Sequence, residues 1–226
     1  MLYVVATPIG NLGDITLRAR ECLANCDFLI GEERRVASTL LKKIGLEQKE
    51  IYELNEHTRP DDMRELVELC ASNKSVALIS DCGTPGFQDP GPELIRQCRA
   101  RGIEITTLPG ASSLMAILSL ASQPVKEFVF VGFLSAEKNA RSLQIQELKS
   151  EKRSWVVMDT PYRLESLMQD LALALPKDRA LLTLDLTQET EKIMEASLAE
   201  LATRTKGVKA EFMLLKYSNP APSAKK

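Results

Sequence analysis

The chain has 226 residues, 44% hydrophobic and 27% charged, which is enough material for one large or two small globular domains. No apolar run approaches the roughly 18 residues of a membrane span. The opening MLYVVATPIG has no basic stretch before it and reads as a strand, not a signal peptide, so the protein is expected in the cytoplasm, away from membranes. A net charge of −2 gives no general attraction to nucleic acid, so any RNA contact has to come from a local basic face.

Short runs rich in Val and Ile alternate with helical patterns. Strands are predicted over 2–6, 28–31, 50–54, 75–80 and 103–108, and helices over 16–25, 33–44, 61–71, 90–101 and 111–120. The third helix carries Met63, Leu66, Val67 and Cys70, an i, i+3, i+4, i+7 stripe. Strands alternating with helices imply parallel pairing through crossovers, hence an α/β domain over 1–121. Residues 121–126 break the pattern and read as a linker. Beyond it, strands are predicted over 127–131, 154–158, 180–184, 192–196 and 209–216, with helices over 139–150, 161–175 and 197–205. This second domain, 126–217, reads as a mixed sheet with helices, and the polar, Pro-rich 218–226 as a flexible tail.

The five cysteines are scattered and the chain has one histidine. Cys22 and Cys26 lie four apart on a helix, where zinc pairs usually come from turns. Reduced thiols and no metal are expected. His57 stands before a helix and reads as a surface or capping residue.

In open α/β sheets, ligands sit outside the carboxyl ends of strands. The Gly- and Pro-rich loops fall there: ATPIGNLGD after the first strand, GEERR after the second, DCGTPGFQDPG after the fourth and PGASS after the fifth. Any one of these reads equally as a turn. The loop over 81–91 exceeds what a turn needs, with three glycines, two prolines and two aspartates in eleven residues. Glycines admit a ligand to the backbone and prolines stiffen the loop. PGASS opens a helix and presents free N–H groups and two hydroxyls. No G-x-x-x-x-G-K-[ST] or G-x-G-x-x-G stretch occurs where a P-loop or dinucleotide site would need it.

ATPIGNLGDIT, SDCGTPGFQDPG, PGASS and DTPYRL, in this order, resemble the tetrapyrrole methylase superfamily, the class III S-adenosylmethionine-dependent methyltransferases. Within it they are most similar to the ribosomal RNA small subunit methyltransferase I family, which methylates a cytidine 2′-hydroxyl. The resemblance implies two α/β domains with S-adenosyl-L-methionine in the cleft between them, and a homodimer. Carried over position by position, it implies cofactor contacts at Pro8, Ile9, Asp81, Gly83, Thr84, Pro85, Phe87, Ser112, Ser113 and Met158. The family's AEDTR stands here as GEERR, its RELTK as LDLTQ over 184–188, and its R-G-T-L as EASL over 195–198. The resemblance also implies a C-terminal extension in full-length members, against which this chain reads as a short form. The segment NEHT, 55–58, resembles a shorter subgroup.

Methyl transfer from a sulfonium is an in-line displacement, so positioning and a proton acceptor are the main requirements. Glu32 or Glu33 is the expected base, with Arg35 steering a phosphate and Asp14 in reserve. The competing reading makes Glu32 to Arg35 an exposed first helical turn with acids near its N-terminus. Arg18, Arg20, Arg34, Arg35, Lys42 and Lys43 form a candidate RNA-facing patch or an ordinary solvated face. The expected function is 2′-O-methylation of rRNA, with the assembled small ribosomal subunit as partner. The alternatives are methylation of a tetrapyrrole or other small molecule, and a non-catalytic S-adenosylmethionine-binding module.

Overall fold

The computed structural model describes residues 1–72, 74–89 and 91–218. Pro90, with which the fourth predicted helix began, and the predicted tail from 219 onward lie outside the described residues. The chain forms two compact units, Met1–Ser112 and Ser113–Lys226.

The first unit contains β1 (Leu2–Val5), α1 (Leu17–Asn25), β2 (Phe28–Gly31), α2 (Arg34–Lys43), β3 (Glu50–Glu53), α3 (Pro60–Ala71), β4 (Val76–Leu78), α4 (Gly91–Ala100) and β5 (Ile105–Leu108). Its sheet runs in the order β3-β2-β4-β1-β5, and every pairing is parallel, as the alternating pattern predicted. Side chains alternate across the strands. Leu2, Val4, Ile30, Val76 and Leu78 join the Met63, Leu66, Val67 and Cys70 stripe of α3 and Leu94 and Cys98 of α4 in one core. Val5, Leu29, Ala77 and Ile79 join Ala19 and Leu23 of α1 and Ala37 and Leu41 of α2 in another. Helices thus cover both faces, so the strands read as nearly continuous apolar runs.

The second unit contains α5 (Ser113–Ser119), β6 (Phe128–Gly132), α6 (Lys138–Ser150), β7 (Ser154–Asp159), α7 (Leu164–Ala174), β8 (Arg179–Leu184), β9 (Lys192–Ser197), α8 (Leu198–Arg204) and β10 (Phe212–Lys216). Its sheet order is β6-β7-β10-β8-β9. The β6–β7 pair is parallel and the other three pairs are antiparallel, so the sheet is mixed as predicted. Leu164, Leu167, Met168 and Leu171 of α7 pack with Ile145, Leu198, Leu201 and the fully buried Trp155 in its core.

The break in pattern at 121–126, read as a linker, lies within the second compact unit, which begins at Ser113. The physical reason is packing: α5 lies against β10. The residues after it are also held to the second sheet. The Ser122 N–H donates to the Tyr217 hydroxyl (3.1 Å) and its Oγ to Glu195 (2.7 Å). No helix among the described residues is long and apolar enough to cross a membrane.

Candidate active site

In the first sheet the chain leaves β1 towards β2 on one side and β4 towards β5 on the other. The direction of winding therefore reverses between β1 and β4, which are neighbours. At such a switch point the two loops separate and leave a crevice outside the strand ends. The loops after β1 and β4 are ATPIGNLGD and DCGTPGFQDPG.

A single threonine joins them. Thr7, only 2% exposed, receives the Gly83 N–H on its Oγ1 (3.1 Å), and its own N–H donates to the Gly83 carbonyl (2.8 Å). The hydroxyl proton is shared between the carbonyls of Ser80 (3.2 Å) and Gly83 (3.3 Å). Gly83 has a φ of +87°, and a Cβ there would stand 3.1 Å from Ile9 Cγ2. The turn therefore demands glycine on both conformational and steric grounds. The Thr84 hydroxyl donates to the Ala111 carbonyl (3.0 Å), tying PGASS to the same cluster. Gly110 admits the close approach of Ala6, whose Cβ would lie 2.9 Å from a side-chain carbon at 110.

The start of α2 closes the other side. Glu33 is its N-cap and makes no side-chain capping bond. Backbone and carboxylates cross between this helix start and the β4 loop: the Asp81 N–H donates to Glu32 Oε1 (3.1 Å), and the Glu33 N–H to Asp81 Oδ1 (3.3 Å). Burial pushes the Glu32 carboxyl above its ordinary range. The Asp81 N–H opposes this, and the charges of Asp81, Asp89 and Glu56 add to it. Asp81 is also raised, again chiefly by desolvation, with the Glu33 N–H opposing.

A cavity of about 530 Å³ lies between these elements, lined by Thr7, Pro8, Ile9, Gly10, Leu12, Glu33, Arg35, Val36, Ala37, Thr39, Leu40, Lys43, Ile79, Ser80, Asp81 and Cys82. That is the size of a small-ligand site. Of the residues singled out in the sequence, Pro8, Ile9, Glu33, Arg35, Lys43 and Asp81 meet here. Glu32 sits beside the cavity with its carboxylate engaged by the Asp81 N–H and does not line it. Gly83 and Pro85 are buried in the loop, and Phe87 is 52% exposed. Ser112 and Ser113 are half-buried on either side of the unit boundary. Met158 is half-buried in β7 of the second unit. Asp14 ends a 3-10 turn, Leu12–Asp14, and does not line the cavity. His57 lies at a separate polar hollow with Arg34 and Asp62.

Sequence reasoning missed Thr7, whose signal was a hydroxyl at a strand end before a glycine-rich loop, and Thr39, whose signal was its four-residue spacing from Arg35. It also missed the role of DTPYR. The Arg163 guanidinium pairs with the buried Asp159 (3.2 Å) and donates to the Leu134 (2.9 Å) and Ser135 (2.8 Å) carbonyls. Arg141 supports the same segment through the Ser135 (3.2 Å) and Ala136 (3.0 Å) carbonyls and pairs with Asp170 (2.8 Å).

The model of the tetrapyrrole (corrin/porphyrin) methylases matches residues 1–202. A ribosomal RNA small subunit methyltransferase I from Leptospira borgpetersenii serovar Hardjo-bovis is 38% identical over 204 residues, covering 88% of this chain and 80% of the relative. The Vibrio cholerae protein of that name is 37% identical over 204 residues, covering 90% of this chain and 70% of its own. Among solved structures, a diphthine synthase superposes with a TM-score of 0.71 at 16% identity, covering 96% of this chain and 89% of that one. A uroporphyrin-III C-methyltransferase from Thermus thermophilus, complexed with S-adenosylhomocysteine, gives 0.66 at 17%, covering 96% of both chains. At these identities the structures speak for the fold, while the sequence matches speak for descent: the chain belongs to the tetrapyrrole methylase family, in the branch of the ribosomal RNA small subunit methyltransferase I proteins.

Proposed function

We propose that this S-adenosylmethionine-dependent methyltransferase methylates the ribose 2′-hydroxyl of a cytidine in small-subunit rRNA, acting on the assembled subunit in the cytoplasm and as a homodimer. The observation that carries the reading is the cavity at the β1/β4 switch point. It puts a carboxylate, Glu33, and a guanidinium, Arg35, beside the loop residues Pro8, Ile9 and Asp81.

The loops fit the cofactor's chemistry. A nucleoside joined to an amino acid needs backbone donors and acceptors at close range together with apolar surface. The turn at Gly83 lacks the side chain that would stand between its backbone and Ile9, and Phe87 offers an exposed ring. Thr84, Pro85, Ser112, Ser113 and Met158 belong to the same proposed binding set. When bound, S-adenosylmethionine supplies the electrophilic methyl group.

The chain's own residues then have three tasks. Glu33 takes the 2′-hydroxyl proton as the oxygen attacks, since it is the candidate base that faces the cavity. Glu32 positions: its carboxylate holds the Asp81 backbone and so fixes the loop. Arg35 orients the acceptor through a phosphate, and the apolar wall of Ile9, Val36 and Leu40 excludes water from the nucleophile.

The test is transfer of labelled methyl to small ribosomal subunits lacking their own 2′-O-methylations, followed by nucleoside analysis. Labelled 2′-O-methylcytidine that disappears in Glu33→Gln and Arg35→Gln is the expected result. Calorimetric cofactor binding without transfer to RNA would overturn it and favour a small-molecule acceptor or a binding role.

A further inference from the structure

The wall that α2 gives to the cavity is cationic and regularly spaced. Arg35, Thr39 and Lys43 recur every four residues and so form one row on the helix, and all three line the cavity. Eight residues at a rise of roughly 1.5 Å separate the Cα positions of the two cations by about 12 Å along the axis. Arg34 and Lys42 repeat the same spacing on the adjoining strip, and Arg34 faces away from the cavity towards β3.

These cations are uncommitted. Among the described residues, Arg35, Lys43, Arg34 and Lys42 form no ion pair. On the opposite layer, Arg59, Arg64, Arg96 and Arg101 each pair with a carboxylate. Leaving one side of a net-negative protein unpaired and positive creates a local attractor for anions.

We propose that α2 is a phosphate track for a single strand of RNA, with Arg35 and Lys43 taking phosphates on either side of the nucleotide whose ribose enters the cavity. The inference rests on the acceptor reading above. Cations anchored about 12 Å apart along a helix suit a ligand that carries anionic groups at intervals. The adjoining Arg34 and Lys42 lie beyond the reach of a ligand confined to the cavity, whereas a polynucleotide continues past its mouth. Contacts of this kind hold register and orientation without reading bases, so they are salt-sensitive and sequence-tolerant.

The test uses the full chain and a fluorescein-labelled, mixed-sequence single-stranded oligoribonucleotide, with anisotropy followed against salt concentration. Lys43→Gln is expected to flatten the slope of log affinity against log salt by about 0.7, the value for one lost single-strand phosphate contact. Thr39→Glu, which sets a negative charge between the two cations, is expected to weaken binding at low salt. Arg99→Gln, an exposed cation on α4 without an ion pair among the described residues, should leave the slope unchanged. In methyl transfer to small subunits, Lys43→Gln is expected to raise KM with kcat and calorimetric cofactor affinity unaltered.

A wild-type slope in Lys43→Gln, or an equal loss in Arg99→Gln, overturns the track while leaving the acceptor reading intact. Lys43→Gln that impairs binding of uroporphyrin, a polycarboxylate, but not of the oligonucleotide also overturns it. A wild-type protein that transfers no methyl to subunits overturns the acceptor reading and the track together.

Discussion

Thr7→Val keeps the shape of the side chain and removes the hydroxyl that joins the β1 and β4 loops. The Gly83 carbonyl keeps the Thr7 N–H as a donor, so that acceptor stays satisfied. The Gly83 N–H is different, because its hydrogen bond runs to the lost Oγ1 in a buried site. An orphaned buried donor costs about 1–3 kcal/mol. At this chain length each kcal/mol lowers Tm by about 2–4 °C. The loop would also lose its register against Ile9, so cofactor affinity should fall along with stability. Urea unfolding and cofactor calorimetry on Thr7→Val and Thr7→Ser provide the assay. Thr7→Ser keeps the hydroxyl and should recover both properties. Wild-type stability and affinity in Thr7→Val would refute the claim that this hydroxyl organises the site.

Glu33→Gln should lower kcat for methyl transfer by about 10²- to 10⁴-fold, the usual contribution of a general base, with cofactor affinity unchanged; rapid-quench transfer assays measure it. Glu32→Gln keeps an acceptor for the Asp81 N–H and removes a carboxylate whose pKa burial raises. A group protonated more readily in the folded state destabilises it as pH rises from the ordinary carboxylate pKa through the raised one. The variant should therefore gain stability over wild type towards neutral pH and lose that advantage in acid, which urea titrations across pH will read as a difference. Arg163→Ala strands the buried Asp159 and releases the Leu134 carbonyl, while Ser135 keeps only its bond from Arg141. Breaking such a pair costs about 3–5 kcal/mol, and limited proteolysis should locate new cleavage near 133–137. Gly83→Ala forces a side chain into a left-handed backbone and against Ile9, at a cost of about 1–2 kcal/mol for the backbone alone, and should weaken cofactor binding in calorimetry.

How much of this could be read in the chain itself depended on the range of the interaction. Among the described residues, local patterns marked each strand and α-helix to within a few residues. The stripe on α3 is buried where its periodicity placed it, and the all-parallel first sheet followed from alternation alone. The glycine-rich loops were legible because a left-handed turn such as Gly83 restricts residue type at one position. Family membership was legible for the same reason, since long loop motifs are local text.

Other features rest on meetings between residues far apart in sequence. Thr7 and Gly83 are 76 positions apart, and Glu32 and Asp81 are 49 apart. No periodicity carries such a pairing, so which acid faces the cavity and which holds the loop emerged only once the sheet order put β1 beside β4. The packing of α5 was hidden likewise, because a helix shows its apolar face in sequence without naming the sheet that receives it, and α5 chose β10. Local chemistry determined the parts and their turns; tertiary packing decided which side chains share a cavity, because burial and charge act on neighbours in space.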